Sequence, residues 1–584
     1  MAVTIKSATT IKGNTTVGFS PASLFAAGEQ GVWYDPSDFS TMFQDAAGAT
    51  PVTAVEQSVG LLLDKRGGFG PDFVLNGGFS SGSNWTPQSG WSISGGAANC
   101  SAASTYLYQV NPSVVVNNNY QVIFTVTGYV SGSVQPYLGA SPTLGTAVSA
   151  NGTYTQIFSP TTNGNELGFK GNSFTGSIDN VSVKQITGNY ATQSTAGNRP
   201  VLSARVNLLT KTEQFDDAAW TKIGLLAFGS GSIVNATTAP DGTLTADQIT
   251  PSTTGGVAHY TNQPAGTGLF VFSFYAKSAG YSAVSISNTP DFYIHFNLAT
   301  GQVSSVGTGW ASASMTDVGN GWWRCVGVNA ASKNWGVATI YVNNAWQNNG
   351  NSANGTVFAG DGTSGIYIWG ADLRVTNDGV GLPVYQRVNT STDYDTTGFP
   401  FYLAFNGTTN NRSMATGNIN FTSANKMTTW AGVRKIADGP GANNLVELSA
   451  DVNSNNGTFG LYAPAGFVQL DNVSAGVRGT TSGYFAGYRP LAAPITVVQQ
   501  VSFDISIANS ILQKINGASV ANNLSLGTTS AGTFGNYPLY IGARAGTSFY
   551  LNGRIYSLIV RGASSTSDQI TATENWVNTK TKAY

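Results

Sequence analysis

The chain has 584 residues, of which only 9% are charged, against about 25% in an ordinary soluble protein. Its formal net charge of -1 excludes broad electrostatic attraction to nucleic acid or to an anionic membrane surface. Glycine is abundant at 71 residues, yet aromatics hold at 11%. That balance argues for β-sandwiches with long Gly/Asn turns and against a disordered chain.

Residues 1–30 alternate apolar and polar before a Ser/Pro/Ala/Gly stretch and are expected to form an N-terminal attachment arm. The opening MAVTIKSATTIKGNTTVGF has no apolar run behind a basic start, so no secretory signal is expected. No stretch of about 20 apolar residues is present, so no membrane insertion is expected either. The cysteines, Cys100 and Cys325, fall in different predicted modules, and the fold is expected to rest on hydrophobic cores.

Residues 31–68 read as the opening strands of a sandwich that stops and resumes far downstream. A first insert, 71–186, opens with FVLNGGFSSGSNWTPQSGWSIS from Phe73 and closes with GSIDNVSVKQI from Gly176. Between them lie short alternating runs separated by Gly/Asn turns, the pattern of an all-β sandwich. Residues 188–204 read as a second scaffold piece. A second insert, 207–388, opens with NLLTKTEQFDDAAWTK from Asn207 and contains GWWRC from Gly321 and YIWGADL from Tyr367. Residues 389–584 carry the main part of the scaffold, closing on PLYIGARAGTSFYLNGRIYSLIV from Pro538. A short C-terminal helix follows, with Ser567 as expected N-cap and Ile570, Trp576 and Val577 near one face. The predicted fold class is all-β, with multiple β-sandwich or jelly-roll domains and one short C-terminal helix.

These motifs carry resemblances. The opening and closing strings of 71–186 resemble carbohydrate-binding jelly rolls. The ordered series in 207–388 resembles a jelly-roll module of phage structural proteins. The FNG, WAGVR, PLYIG and LNGRIYSLIV series of the last segment is similar to the laminin-G-like, concanavalin A-like lectin/glucanase sandwich. The split of 31–68, 188–204 and 389–584 resembles a scaffold of phage proteins in which these pieces are contiguous. The resemblances imply a virion protein of a tailed phage, a tail fibre or a head fibre or capsid decoration protein. Such a protein would contact other virion proteins through its N-terminal region, bind host-surface or environmental glycans, and form a homo-oligomer, with a trimer favoured by virion symmetry.

The chemistry present favours binding over catalysis. The histidines, His259 and His295, stand outside any metal-ligating or nucleophile motif. Glycoside hydrolysis needs two carboxylates about 5–10 Å apart. Glu447 and Asp451 in LVELSADVNS are the pair a depolymerase would use, but a second Glu of the hydrolase pattern is missing. Sugar binding needs aromatic faces for C–H stacking and amides for hydroxyls. In the first insert the candidates are Trp85, Trp91, Tyr106, Tyr108 and Tyr137, with Gln109 and Gln135 as polar partners. In the second they are Trp220, His259, Tyr260, Trp335 and Trp346. Trp322 and Trp369 are expected in the core. Asp179, with Asn180, matches a position where related jelly rolls hold a structural calcium, so a structural calcium near Asp179 is possible, with turn formation the favoured role for both residues. No other cofactor is expected.

Overall fold

The computed structural model describes residues 9–11, 15–17 and 19–584, apart from 256, 259, 265–268, 290–291, 331–336, 351–355, 408–410, 440, 466–470, 480–483, 508–510, 521–523 and 527–531. It forms two compact units. The first comprises Met1–Ser203, Tyr402–Ala493 and Val497–Thr581, and the second Ala204–Phe401, Pro494–Thr496 and Lys582–Tyr584. Both are built from antiparallel sheets, and Ser567–Thr581 is the α-helix of the described residues. The predicted all-β class with one C-terminal helix is thus observed.

In the first unit, two sheets stack into a large sandwich. One runs in the order Met42–Phe43, Leu61–Leu62, Ala191–Thr192, Met414–Asn420, Asn536–Ile541, Ala442–Leu448, Thr458–Ala465, Asn472–Arg478, Tyr484–Pro490, Leu524–Leu526. The other runs Val201–Ser203, Tyr402–Asn406, Asn552–Arg561, Lys426–Lys435, Ile495–Asp504, Ile511–Ile515, Ala518–Val520. Phe459 of the first sheet meets Phe503 of the second at 5.3 Å. Strands far apart in sequence complete both layers. Gly31–Tyr34 pairs with Arg561–Leu558 of the penultimate element. Ala191 sits between Leu62 and Thr416, and Val201–Ser203 pairs with Ala404–Tyr402. Alternate residues face the interior, so Trp430, Leu445, Phe459, Val497, Leu539 and Ile559 are fully buried.

One buried carboxylate holds the two sides of the first interruption together. Asp64 accepts the Trp33 N–H (3.1 Å) and the Asn189 N–H (3.1 Å), and it pairs with the Arg66 guanidinium at 2.7 Å. Residues on both sides of the insert therefore share one charge-assisted hub. The helix docks beside it, with Trp576 edge-on to Trp33 at 5.5 Å and Val577 fully buried. Its cap lies one residue before the expected Ser567. Thr566 Oγ1 accepts the Gln569 N–H (3.3 Å) while Gln569 Oε1 accepts the Thr566 N–H (3.0 Å), a reciprocal capping box.

Also in the first unit, Gly68–Thr187 forms a smaller sandwich around two long strands, Asn119–Leu138 and Gly164–Thr187, paired along most of their length. Register shifts fall between Thr127 and Ser133, where Gly128 and Gly132 take φ of 58° and 73°. At these glycines the pair turns a corner that side chains rarely allow, so each long strand serves both layers. Phe79, Leu107, Tyr120, Phe124, Leu167, Phe169 and Phe174 fill the core. The chain enters on Gly68–Asp72 and leaves on the strand it pairs with, Gly68 opposite Thr187.

The second unit packs two six-stranded sheets. Phe272, Phe274, Ile286, Ile294, Phe296, Ile340, Ile366 and Ile368 lie in the core between them. Trp322 and Trp369 are buried, as expected. Its two ends meet at Gln386, fully buried, which accepts the Val206 and Asn207 N–H groups (2.8 and 2.9 Å) and donates to the Ala204 and Asp395 carbonyls. Cys100 and Cys325 are buried free thiols in different units.

Candidate functional site

In the smaller sandwich of the first unit, one layer runs in the order Thr143–Leu144, Asn119–Leu138, Gly164–Thr187, Tyr106–Val114, Thr86–Pro87. Registers across it set which side chains share a face. Tyr108 stands opposite Gly168 on one side and Thr86 on the other. Tyr137 stands opposite Gly168 from the far strand and next to Leu144. One step along, Tyr106, Lys170 and Gln135 form a second row. Because opposed residues point to the same side, Tyr106, Tyr108, Gln135, Tyr137, Glu166 and Lys170 all lie on the face turned away from the core. The intervening Leu107, Gln109, Leu167, Phe169, Val134 and Leu138 are buried on the other.

On this face Tyr106, Tyr108, Gln135, Glu166 and Lys170 are half-buried, and Tyr137 is the floor at 2% exposure. Tyr106 and Tyr137 meet edge to face at 5.3 Å, and the Lys170 ammonium sits 5.8 Å from the Tyr106 ring centre. Burial pushes the Tyr137 phenol well above its ordinary pKa, and the neighbouring Glu166 carboxylate and the Tyr108 and Tyr106 phenols add to the shift. Its hydroxyl stays protonated and is engaged with that carboxylate beneath the half-buried side chains of the face. Gln135 spends its amide nitrogen on the Gly145 carbonyl at 3.2 Å. Gly168 admits no side chain, since a Cβ there would collide with the Leu107 carbonyl oxygen. The face thus offers tyrosine rings flanked by a carboxylate, an ammonium and an amide. These are the groups that stack on the C–H face of a sugar ring and hydrogen-bond its hydroxyls.

Other expected site residues lie elsewhere. Trp85 (5% exposed) packs on Phe79 at 4.9 Å and donates Nε1–H to the Asn76 carbonyl. Trp91 (6%) packs near Phe174 and donates to the Thr105 carbonyl. Trp220 (1%) packs on Phe215 at 4.6 Å and donates to the Lys211 carbonyl. Their rings fill cores and present no face to a ligand, which corrects their assignment as binding residues. Gln109 is likewise buried, its amide exchanging hydrogen bonds with both backbone groups of Leu75.

In the second unit Tyr260 is half-buried beside Tyr341, 5.1 Å away, and Tyr341 contacts Tyr293. The same sheet face continues into Ser285, Asn343 and His295, all fully buried, with His295 Nδ1 at 3.2 Å from Asn343 Nδ2. That row is a polar interior. Trp346 is half-buried, with Nε1 unpartnered among the described residues. Trp335 and His259 lie outside the described residues.

Asp179 accepts the N–H of Asn180, which takes φ of 53°. Among the described residues no group of three or more His, Cys, Asp or Glu side chains could hold a metal ion. Asp179 thus serves a turn at a strand irregularity. Glu447 is fully buried, its oxygens taken by Arg544 Nε (3.0 Å), the Val452 N–H (2.6 Å) and Asn444 Nδ2. Asp451 holds the same arginine at 3.3 Å. Burial pushes the Glu447 carboxyl up, against the opposing pull of Arg544. The two carboxylates bracket one guanidinium.

Sequence reasoning missed Glu166 and Lys170. The signal was present, because the run Glu166 to Lys170 alternates so that Glu166, Gly168 and Lys170 oppose the apolar Leu167 and Phe169.

No protein-family profile matches the sequence, and no curated protein matches it. Among solved structures, the binding domain of botulinum neurotoxin serotype D is similar at 10% identity and a TM-score of 0.23, over 30% of this chain and 42% of that one. This chain thus spans less than half the length of that domain. The CBM22 tandem domain from Paenibacillus barcinonensis Xyn10C is similar at 12% identity and a TM-score of 0.21, over 53% of this chain and 98% of that one. Trypanosoma rangeli sialidase is similar at 8% identity and a TM-score of 0.22, over 96% of this chain and 99% of that one. Likenesses of this size do not bear on function.

Proposed function

We propose that this chain is a non-enzymatic glycan-binding protein whose primary site is the outer face carrying Tyr106, Tyr108, Gln135, Glu166 and Lys170, seated on the buried Tyr137. The observation that carries the reading is the register that gathers these side chains, far apart in sequence, on one face turned away from the core, with Tyr137 as its buried floor. Such sites are shallow and weak, and display in several copies converts weak sites into firm attachment. The resemblances in the sequence extend this to a virion appendage of a tailed phage, on tail or capsid, in which a split sandwich carries inserted binding modules and assembles as a homo-oligomer. Glu447, fully buried and held by Arg544, favours binding over hydrolysis.

The test is a glycan array probed with the intact chain and with Tyr108→Ala. Binding to at least one polysaccharide class, lost in the variant, supports the proposal. An array on which the intact chain binds nothing, or on which Tyr108→Ala binds equally well, sinks it.

A further inference from the structure

A cleft of about 410 Å³ opens within the first unit where the smaller sandwich joins the large one. That volume falls in the range of small-molecule sites, about 300–1,000 Å³. One wall is the turn Asn117–Asn119 with Gln185 and Ile186, the next the junction Thr187–Tyr190, and the last Gly417 and Asn418 of the large sandwich. None of the lining residues is a Lys, Arg, Asp or Glu, so neither an anion nor a cation is favoured there.

The lining is rich in side-chain amides, each offering donors and an acceptor side by side, the arrangement that vicinal hydroxyls pair with. Asn119 Oδ1 is taken by Ser159 and Asn189 Nδ2 by the Gly31 carbonyl. Asn418 makes only a long contact of 3.5 Å to the Asn536 carbonyl. The side chains of Asn118 and Gln185 and the Tyr190 hydroxyl make no hydrogen bond within the described residues. Tyr190 supplies the apolar element. Its ring packs against the seam cluster of Leu61, Leu63 and Ile186, and burial pushes its phenol up to about 12, so it stays a donor.

The cleft is also preformed. Phe43 of the large sandwich and Phe69 of the entering strand meet edge to face at 5.7 Å. Gln121 of the smaller sandwich donates to the Ala47 and Gly48 carbonyls at 2.9 and 3.0 Å. A ligand entering here does not have to order the two walls first.

We infer that this seam cleft is a second saccharide site, taking a short neutral oligosaccharide segment, separate from the tyrosine face. Asn118, Gln185 and Asn418 hydrogen-bond the hydroxyls and Tyr190 lies against a ring.

The test is saturation-transfer NMR on the intact chain with maltotriose, cellotriose and N,N′-diacetylchitobiose at millimolar concentration. It is run in a Tyr108→Ala background, so the tyrosine face does not contribute. Gly417→Trp serves as the block. Gly417 is exposed, its φ is not left-handed, and a Cβ there meets nothing within 4 Å, so the indole fills the mouth without strain in the strand. Asn118→Ala combined with Gln185→Ala serves as the milder variant. The expected result is transfer to at least one of these sugars in the Tyr108→Ala protein, abolished by Gly417→Trp and about tenfold weaker in the amide double variant. Silence of all three sugars in the Tyr108→Ala protein overturns the inference, as does transfer that survives Gly417→Trp. Failure of the tyrosine face is read separately, as an array result insensitive to Tyr108→Ala.

Discussion

Tyr106 and Tyr108 differ from Trp85 and Trp91 in which side of the sandwich they occupy, and that difference decides which can meet a ligand. Tyr108→Ala removes a half-buried ring from the outer face and is expected to lower glycan affinity about tenfold or more, with an unchanged unfolding midpoint. Trp85→Ala empties a core position and is expected to cost about 3–5 kcal/mol of stability. Denaturant titration of both variants checks the contrast, and equal destabilisation would contradict it. Asp64→Ala leaves the Arg66 guanidinium without its buried carboxylate and is expected to cost about 3–5 kcal/mol, read by the same titration. Only part of this was legible in the sequence. In the run Tyr106 to Val110, both alternating faces are largely apolar, so the pattern does not say which points inward. Gln109 looks like a ligand-facing amide and turns out to hold Leu75 from the inside. Tryptophan in a Gly/Ser-rich turn region looks like an exposed platform, yet Trp85 and Trp91 are the large side chains that close the sandwich where the strands are short.

Among elements, the long strands Asn119–Leu138 and Gly164–Thr187 depart most from what the sequence suggests. Glycines and serines at 128–133 read as a break between two strands. They are a corner within one, because positive-φ glycines let the paired strands bend without losing their partner. That continuity brings Tyr137 beside Tyr108. Gly132→Val is expected to straighten or break the corner, since a Cβ there would collide with the Ser173 carbonyl, and to lose glycan binding together with stability. Retained binding with native stability would contradict the role given to the corner. The helix shows the smaller kind of error, a boundary shifted by one residue. Thr566→Ala should cost about 1 kcal/mol as the cap is lost, whereas Ser567→Ala should cost little, as measured by thermal unfolding.

At whole-molecule scale the sequence suggested interruptions because the last segment lacks opening strands just upstream and because its pieces resemble a contiguous scaffold of phage proteins. Pairing of Gly31–Tyr34 with Asn552–Arg561, and of Val201–Ser203 with Tyr402–Asn406, gives those strands their neighbours. A fragment starting at residue 389 lacks both and is expected to be insoluble. A chain in which residues 69–186 are replaced by a short Gly/Ser linker is expected to unfold cooperatively, since Asp64 and Asn189 still meet. A soluble, cooperatively folded 389–584 fragment would contradict this assembly. The sequence offered Tyr106, Tyr108, Tyr137 and Gln135 singly; that they share one face, and that a cleft opens at the seam, follows only once distant strands are in register. The most direct measurement of the central claim is hydrogen–deuterium exchange on the intact chain with and without the glycan that binds best on the array. Protection is expected to concentrate in 106–110, 134–138 and 164–170. Protection confined to the second unit, with none in these strands, would contradict it.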